Sequence, residues 1–152
     1  MTVPHTPLNR RIEYAWTPSK LKRSAIWLII TVILTIGTFG LSSLSSVPGH
    51  ITKWWRHSDW VWHALEYGVL AWCLLMYFHE KKLIIQQRSV AYLCAILFVG
   101  IIGGLNELWQ GYVPHRSPSW SDEVANLLGA LLFIGLFHLI KARGMRRADR
   151  CH

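Results

Sequence analysis

The chain has 152 residues, of which 52% are hydrophobic and only 16% are charged, and its mean hydropathy is +0.27. This length suits a single domain. The net charge of +8 would suggest a nucleic-acid partner for a soluble chain. However, the hydrophobic residues form blocks of about 17–22 residues, long enough to cross ~30 Å of hydrocarbon, so we exclude a soluble nucleic-acid-binding protein.

Four membrane-spanning helices are predicted, with approximate ranges of 24–41, 60–78, 90–109 and 122–139. The first follows a basic segment, as the apolar region of a signal peptide would. Its apolar run is long and no clear Ala-x-Ala cleavage site follows, so we expect it to be retained. The sequence therefore predicts an all-α integral membrane bundle. A basic segment (1–23) precedes the transmembrane domain (24–141), and a basic tail (142–152) follows it.

Lysine and arginine are distributed unequally between the two sides that these spans define. One side carries 13 of the 16, in three groups: Arg10, Arg11, Lys20, Lys22 and Arg23; Lys81, Lys82 and Arg88; and Lys141, Arg143, Arg146, Arg147 and Arg150. The other side carries Lys53, Arg56 and Arg116. Because basic loops remain in the cytoplasm, we expect both termini to be cytoplasmic. Tryptophans, which favour membrane boundaries, then cluster near the outer boundary: Trp54, Trp55, Trp60, Trp62, Trp109 and Trp120.

Polar residues gather at the outer ends of three of the predicted spans. Asp59, His63 and Tyr67 are spaced i, i+4, i+8, which places them on one face of the second span. A short connection makes the third and fourth spans antiparallel neighbours, so their polar outer ends should meet. The sequence therefore predicts a ligand-binding pocket at the external mouth of the bundle, formed by Asp59, His63, Tyr67, Glu107, Gln110, Arg116, Asp122 and Asn126.

The sequence makes a specific prediction for two residues of this pocket, Arg116 and Asp122. We expect Arg116 to form a salt bridge with Glu107, Asp122 or Asp59, because a guanidinium pairs well with carboxylates. Asp122 also has a simpler interpretation as an acid in the first turn of a helix, where it would favour the helix dipole. That helix would be capped either by Ser117, with Pro118 following, or by Ser119.

Small residues predict where the helices approach each other. Gly100 and Gly104 form a G-x-x-x-G motif in the third span, with Gly103 beside them, and Ala125 and Gly129 have the same spacing in the fourth. Such residues allow helix backbones to pack closely in a membrane. The motif formed by Gly100 and Gly104 would serve either packing within the bundle or a homodimer.

The polar pattern resembles the VanZ-like family of bacterial membrane proteins. The resemblance covers about residues 59–139 and rests on three motifs: Asp59-x-x-x-His63-x-x-x-Tyr67, Glu107-x-x-Gln110-x-x-x-Pro114-x-Arg116-Ser117, and Asp122-x-x-x-Asn126-x-x-Gly129. The chain departs from the family pattern at Trp60, where a lysine is common, and at His115, where glycine is common. Glu66, beside the first motif, looks like an addition.

The resemblance implies a four-helix protein of the bacterial cytoplasmic membrane. The family's founding member is associated with resistance to the glycopeptide antibiotic teicoplanin. The resemblance therefore indicates the cell envelope, with a lipid-linked envelope precursor or a glycopeptide as a partner besides the bilayer itself, and it does not indicate a reaction.

Three functions are compatible with the pocket. It could bind an anionic envelope lipid or glycan intermediate through Arg116 and His63. It could instead be the site of a hydrolase or transferase, with His63 as general base, Glu107 or Asp122 as the orienting acid, and Arg116 stabilising negative charge. Alternatively, the polar groups only hold the helices together. One histidine with two carboxylates is a weak pattern for a metal site, so we expect neither a metal nor another cofactor.

Overall fold

The computed structural model describes residues 18–43, 52–114 and 116–148, with side chains described for 21–43, 60–114 and 116–143. This part of the chain contains five helices and no strand: α1 (Pro18–Ser42), α2 (Thr52–Glu80), α3 (Leu83–Gln86), α4 (Arg88–Gln110) and α5 (Trp120–Ala148). All but the short α3 are long and apolar enough to span a membrane. Among the described residues, the predictions of an all-α fold and of four helices long and apolar enough to span a membrane are confirmed.

The apolar side chains face both inwards and outwards, as expected for helices surrounded by lipid. Leu70 and Leu75 of α2, Val99 of α4 and Phe137 of α5 are fully buried in the core. On the outside, large apolar side chains such as Leu132 are exposed over most of their surface. Because lipid tails are as apolar as these side chains, this outer surface gives no force that would drive the helices together, and specific packing must do so.

Helix α2 is the centre of the bundle and packs against α1, α4 and α5, most extensively against α5. His63 of α2 meets Asn126 of α5, so these two helices start at the same end of the bundle. At this end, Trp109 Nε1, in the last turn of α4, donates a hydrogen bond of 2.9 Å to Ser43 Oγ, just after α1. We call this end, where α1 and α4 finish and α2 and α5 begin, the polar end.

The closest approach of two helices occurs where α2 crosses α5. A Cβ atom added at Gly129 would collide with the backbone of Ala64, including its carbonyl oxygen. The predicted packing role of Gly129 is therefore confirmed. A hydrogen atom is the only side chain that fits between these two backbones.

The predicted packing role of the G-x-x-x-G motif is only partly correct. A Cβ atom at Gly104 would meet nothing within 4 Å, and one at Gly100 would make only an ordinary contact of 3.5 Å with Leu127 Cδ2. Their neighbour Gly103 packs inward instead, because a Cβ atom there would collide with the Glu123 carboxylate. The alternative in which Gly104 packs within the bundle is therefore wrong, and the alternative of a homodimer through Gly100 and Gly104 stays a prediction.

The start of α5 agrees in position with the second of the two predicted caps, although the Ser119 hydroxyl bonds to the Ser121 hydroxyl rather than to a backbone N–H. The helix begins at Trp120, directly after Ser119. The carbonyl oxygen of Ser119 accepts hydrogen bonds from the backbone N–H groups of Asp122 and Glu123. Both acids lie in the first turn, where negative charge favours the helix dipole.

Candidate functional site

Helix α2 contributes His63 and Tyr67, which lie one turn apart and point into the bundle. His63 is 7% exposed and Tyr67 is completely buried. Their rings stack with 6.4 Å between centroids and an interplanar angle of 18°. His63 and Tyr67 therefore lie on one helix face, as predicted from their spacing, and both are at the polar end. The side chain of Asp59 is not among those described.

Helix α4 contributes three buried polar side chains in its last two turns, those of Asn106, Glu107 and Gln110. Glu107 Oε2 accepts a hydrogen bond of 2.8 Å from the backbone N–H of Ser119, and its Oε1 accepts one of 3.2 Å from Gln110 Nε2. Glu107 thus binds a backbone N–H at the start of α5 that has no partner within that helix. These bonds hold its carboxylate in one position although the chain around it is apolar.

Helix α5 contributes Asn126, which is completely buried and links two other side chains. Its Nδ2 donates a hydrogen bond of 3.1 Å to Glu123 Oε2, and its Oδ1 lies 3.1 Å from His63 Nδ1. An ionised carboxylate only accepts hydrogen bonds, so the amide nitrogen of Asn126 must face Glu123. The amide oxygen then faces His63 and requires a hydrogen on Nδ1, which leaves Nε2 of a neutral imidazole as the nitrogen with a lone pair.

The three predicted candidate catalytic residues come together at the polar end. His63 Nε2 lies 4.0 Å from Asp122 Oδ2, and the side chain of Asp122 is 14% exposed. One nitrogen or oxygen atom from each of His63, Glu107 and Asp122 lies within 4.8 Å of the other two. Because the three residues come from α2, α4 and α5, only the assembled bundle creates this group.

Arg116 lies at the edge of this group and is partly buried. Its Nη1 donates a hydrogen bond of 3.3 Å to Gln110 Oε1, and Gln110 in turn donates to Glu107. The predicted salt bridge to Glu107 or Asp122 is therefore wrong: among the described side chains, the guanidinium has only this neutral amide as a partner. The alternative partner Asp59 has no described side chain.

Asn106 and Glu123 also belong to the site, although neither was predicted from the sequence. Asn106 is 1% exposed and lies beside Tyr67, yet neither its amide oxygen nor the Tyr67 hydroxyl is in hydrogen-bonding geometry with a described partner. A signal for Asn106 was present, because an amide inside an apolar span is costly to bury without a partner. Glu123 had the appearance of an ordinary first-turn acid.

The charges at the polar end are unbalanced among the described residues. Glu107, Asp122 and Glu123 bring three carboxylates around His63, and Arg116 bonds to a neutral amide. Burying carboxylates away from water is expensive unless a positive charge or several hydrogen bonds compensate. Glu107 and Glu123 accept such bonds, but no described lysine or arginine pairs with them.

An apolar groove of about 530 Å³ follows the same turns of α2 and α5 that carry His63 and Asp122. It begins at the polar end with Trp60 and Ser121 and continues towards Leu132 and Phe133. Its lining is almost entirely hydrocarbon. The groove therefore suits an extended apolar chain that lies parallel to the helices.

Comparison with known proteins adds no assignment, because no protein-family model, curated protein or solved structure matches the chain.

Proposed function

We propose that the chain is a VanZ-like protein of the bacterial cytoplasmic membrane that binds an anionic envelope lipid, or a lipid-linked glycan intermediate, at the polar end. In this proposal both termini are cytoplasmic and the polar end faces outwards. The protein would take part in handling envelope precursors or in resistance to glycopeptide antibiotics. The observation that carries the proposal is the guanidinium of Arg116, which sits at the edge of a buried polar group without a described carboxylate partner.

A guanidinium in this position favours an anionic ligand. It has five N–H donors in a planar fork, and Nη1 uses one of them for the neutral oxygen of Gln110. A phosphate oxygen pair can accept two parallel hydrogen bonds from such a fork. Because Gln110 accepts a hydrogen bond from Nη1, it orients the Arg116 guanidinium. The remaining N–H donors can then bind a headgroup at the edge of the bundle.

The apolar groove supports a lipid rather than a soluble anion. It starts at the same end of the bundle as the polar group, between Trp60 and Ser121. A lipid with its headgroup at the polar end could lay one acyl chain along α2 and α5. Moving an acyl chain from the bilayer into this groove changes the free energy little, because both surroundings are hydrocarbon. We therefore expect the headgroup contact to set the specificity.

The outward orientation of the polar end is supported by charge and by tryptophan. The side with 13 of the 16 lysines and arginines is the opposite one. Trp60, Trp62, Trp109 and Trp120 are all exposed. Trp109 and Trp120 lie in the terminal turns of α4 and α5 at the polar end, and Trp60 and Trp62 lie where the apolar, membrane-length part of α2 begins. Indole rings prefer the boundary between hydrocarbon and headgroups, which is where this proposal places them.

Native mass spectrometry of the detergent-purified protein tests this function. We expect the wild type to retain phosphatidylglycerol in preference to phosphatidylcholine, and Arg116→Gln to lose this preference. Arg88→Gln is the matched control, because Arg88 is an exposed arginine at the opposite end of the bundle. Equal retention of the two lipids by the wild type, or an unchanged preference in Arg116→Gln, would contradict the proposal.

Catalysis at the same site is the second candidate, and the bond between His63 and Asn126 favours it. With its Nδ1–H held by Asn126, His63 would present the Nε2 lone pair as a general base towards water or a substrate hydroxyl. An enzyme of this kind loses turnover of the bound lipid in His63→Gln but keeps its binding. Intact lipid after long incubation with the wild type would exclude this candidate.

A further inference from the structure

The orientation of His63 is set by a chain of hydrogen bonds across α5. Glu123 accepts from the amide nitrogen of Asn126, and the amide oxygen of Asn126 accepts from Nδ1 of His63. The other ring nitrogen, Nε2, is directed to the side where Asp122 lies 4.0 Å away. Metal-binding histidines are typically held in this way, with the second ring nitrogen donating to an oxygen of the protein.

Glu107 is fixed in a comparable manner. The backbone N–H of Ser119 and the side-chain amide of Gln110 each donate to one of its carboxylate oxygens. Each oxygen keeps a second lone pair, so these bonds orient the carboxylate without preventing it from binding a cation. Two of the three residues in the group, His63 and Glu107, are therefore positioned by other residues of the protein.

The distances suit an ion of ordinary size. Zinc binds nitrogen and oxygen at about 2.0–2.2 Å, which places two donor atoms in tetrahedral geometry about 3.4 Å apart. The donor atoms of His63, Glu107 and Asp122 lie within 4.8 Å of one another, and two of them are 4.0 Å apart. Side-chain rotations that move the donors by about 1 Å would bring all three onto one ion.

The charge balance points in the same direction. His63 Nε2 and Asp122 Oδ2 lie 4.0 Å apart, so a cation bound between them could contact both atoms. A divalent ion would also compensate the two carboxylates of Glu107 and Asp122, which no described lysine or arginine does. Ionisable groups in membrane helices are costly and mark ion or substrate sites when they face the interior of a bundle.

We infer that His63, Glu107 and Asp122 bind a divalent transition-metal ion, Zn²⁺ or Mn²⁺, at the polar end. The imidazole favours Zn²⁺ over Mg²⁺ and Ca²⁺, which prefer oxygen ligands alone, and the two carboxylates also suit Mn²⁺. This inference differs from the prediction of a chain without a metal, which was drawn from the weak sequence pattern alone. Three protein ligands leave at least one coordination position open.

The open position gives the ion a function. A phosphate oxygen bound there, with Arg116 beside it, would explain how an end of the bundle with several carboxylates holds an anionic headgroup. This coupling between ion and headgroup rests on the proposed lipid-binding function, whereas the ion site itself does not. The two can therefore fail separately.

The test measures metal bound to the full-length protein in detergent without added lipid. The protein is stripped with a chelator, incubated with Zn²⁺ or Mn²⁺, desalted and analysed by inductively coupled plasma mass spectrometry. We expect one ion per chain, and Zn²⁺ titrations of Glu107→Gln and Asp122→Asn should show at least about 100-fold weaker binding. Asn126→Ala should weaken binding by about 10- to 100-fold, because it orients a ligand without touching the ion.

Matched controls separate this site from adventitious binding to other histidines. The chain has eight histidines, and all are kept in the two carboxylate variants. His138→Gln replaces a histidine that hydrogen-bonds to Tyr92 elsewhere in the bundle, and Glu80→Gln replaces an acid at the opposite end. Both controls should bind the ion as the wild type does, whereas His63→Gln should not.

A second readout covers variants that fold poorly. Co²⁺ bound to the wild type should give a visible absorption spectrum that is lost on competition with Zn²⁺, and that changes in Asn126→Ala. A wild type that retains no Zn²⁺ or Mn²⁺, or variants of His63, Glu107 and Asp122 that bind as tightly as the wild type, would overturn the inference. Metal binding with no lipid preference would leave the ion site intact and overturn only the lipid function.

Discussion

His63 and Asn126 lie 63 residues apart in the chain and meet through a buried hydrogen bond of 3.1 Å between Nδ1 and Oδ1. The bond joins α2 to α5 one turn from the crossing of Ala64 and Gly129, where the two backbones nearly touch. The polar end is thus attached directly to the tightest packing in the bundle. Any change that separates α2 from α5 should disturb the polar group as well.

A double-mutant cycle should reveal how much this bond contributes to stability. Asn126→Leu leaves Nδ1–H of His63 buried without its acceptor, which costs about 1–3 kcal/mol. Adding His63→Leu removes the stranded donor, so the double variant should be more stable than the sum of the single changes predicts. Thermal unfolding in detergent measures the three variants, and strictly additive losses would show that the bond does not couple the helices.

Gly129→Ala should destabilise the bundle strongly, because the new Cβ atom would collide with the backbone of Ala64. Overpacking of this kind costs typically about 1–3 kcal/mol, and more where backbone rather than a side chain must move. Gly104→Ala is the matched control in the third membrane-spanning helix, since nothing lies within 4 Å of its added Cβ atom. We expect Gly104→Ala to unfold at or slightly above the wild-type temperature. The opposite order of the two melting temperatures would show that the helices are rotated differently.

These two glycines illustrate what could be predicted from the sequence. The four spans followed from apolar blocks of membrane length, which need no knowledge of packing. The rotation of α4 did not follow, because its buried polar residues Asn106, Glu107 and Gln110 lie only in the last two turns and the span before them is almost entirely apolar. This is why the G-x-x-x-G motif of Gly100 and Gly104 suggested a close contact that Gly103 makes instead.

The candidate site, like the helix packing, was predicted only in part. His63, Glu107 and Asp122 could be grouped because their helix ends had to meet. The partner of Arg116 could not be predicted, since Gln110 and Glu107 lie within one turn and either could accept from a guanidinium. In the bundle, Ser119 and Gln110 each donate to one oxygen of Glu107, and Arg116 donates to Gln110 Oε1.

The orientation in the membrane can be tested by labelling single cysteines from outside the cell. The background replaces Cys73, Cys94 and Cys151. A membrane-impermeant maleimide should modify Ser117→Cys, because Ser117 is exposed at the polar end, and should not modify the exposed control Lys81→Cys at the other end. If only Lys81→Cys is labelled, the topology is the reverse of the proposed one and the polar end lies in the cytoplasm.

Replacement of Arg116 should separate a ligand site from a structural lock. Its bond is to a neutral amide, so the change breaks no ion pair between described side chains. We therefore expect Arg116→Gln without added lipid to unfold within about 0.5 kcal/mol of the wild type, as a change at a partly exposed position does. A loss of several kcal/mol would instead identify Arg116 as one partner of a desolvated charge pair.

The most direct test of the central claim is the stabilisation of the protein by anionic lipid. A ligand that binds only the folded state stabilises it by RT ln(1 + [L]/Kd), or about 2.7 kcal/mol at 100 times Kd. Phosphatidylglycerol should raise the unfolding temperature of the wild type and of Arg88→Gln more than phosphatidylcholine does, and this difference should vanish in Arg116→Gln. An equal effect of both lipids on the wild type, or a full phosphatidylglycerol effect in Arg116→Gln, would contradict a headgroup site at the polar end.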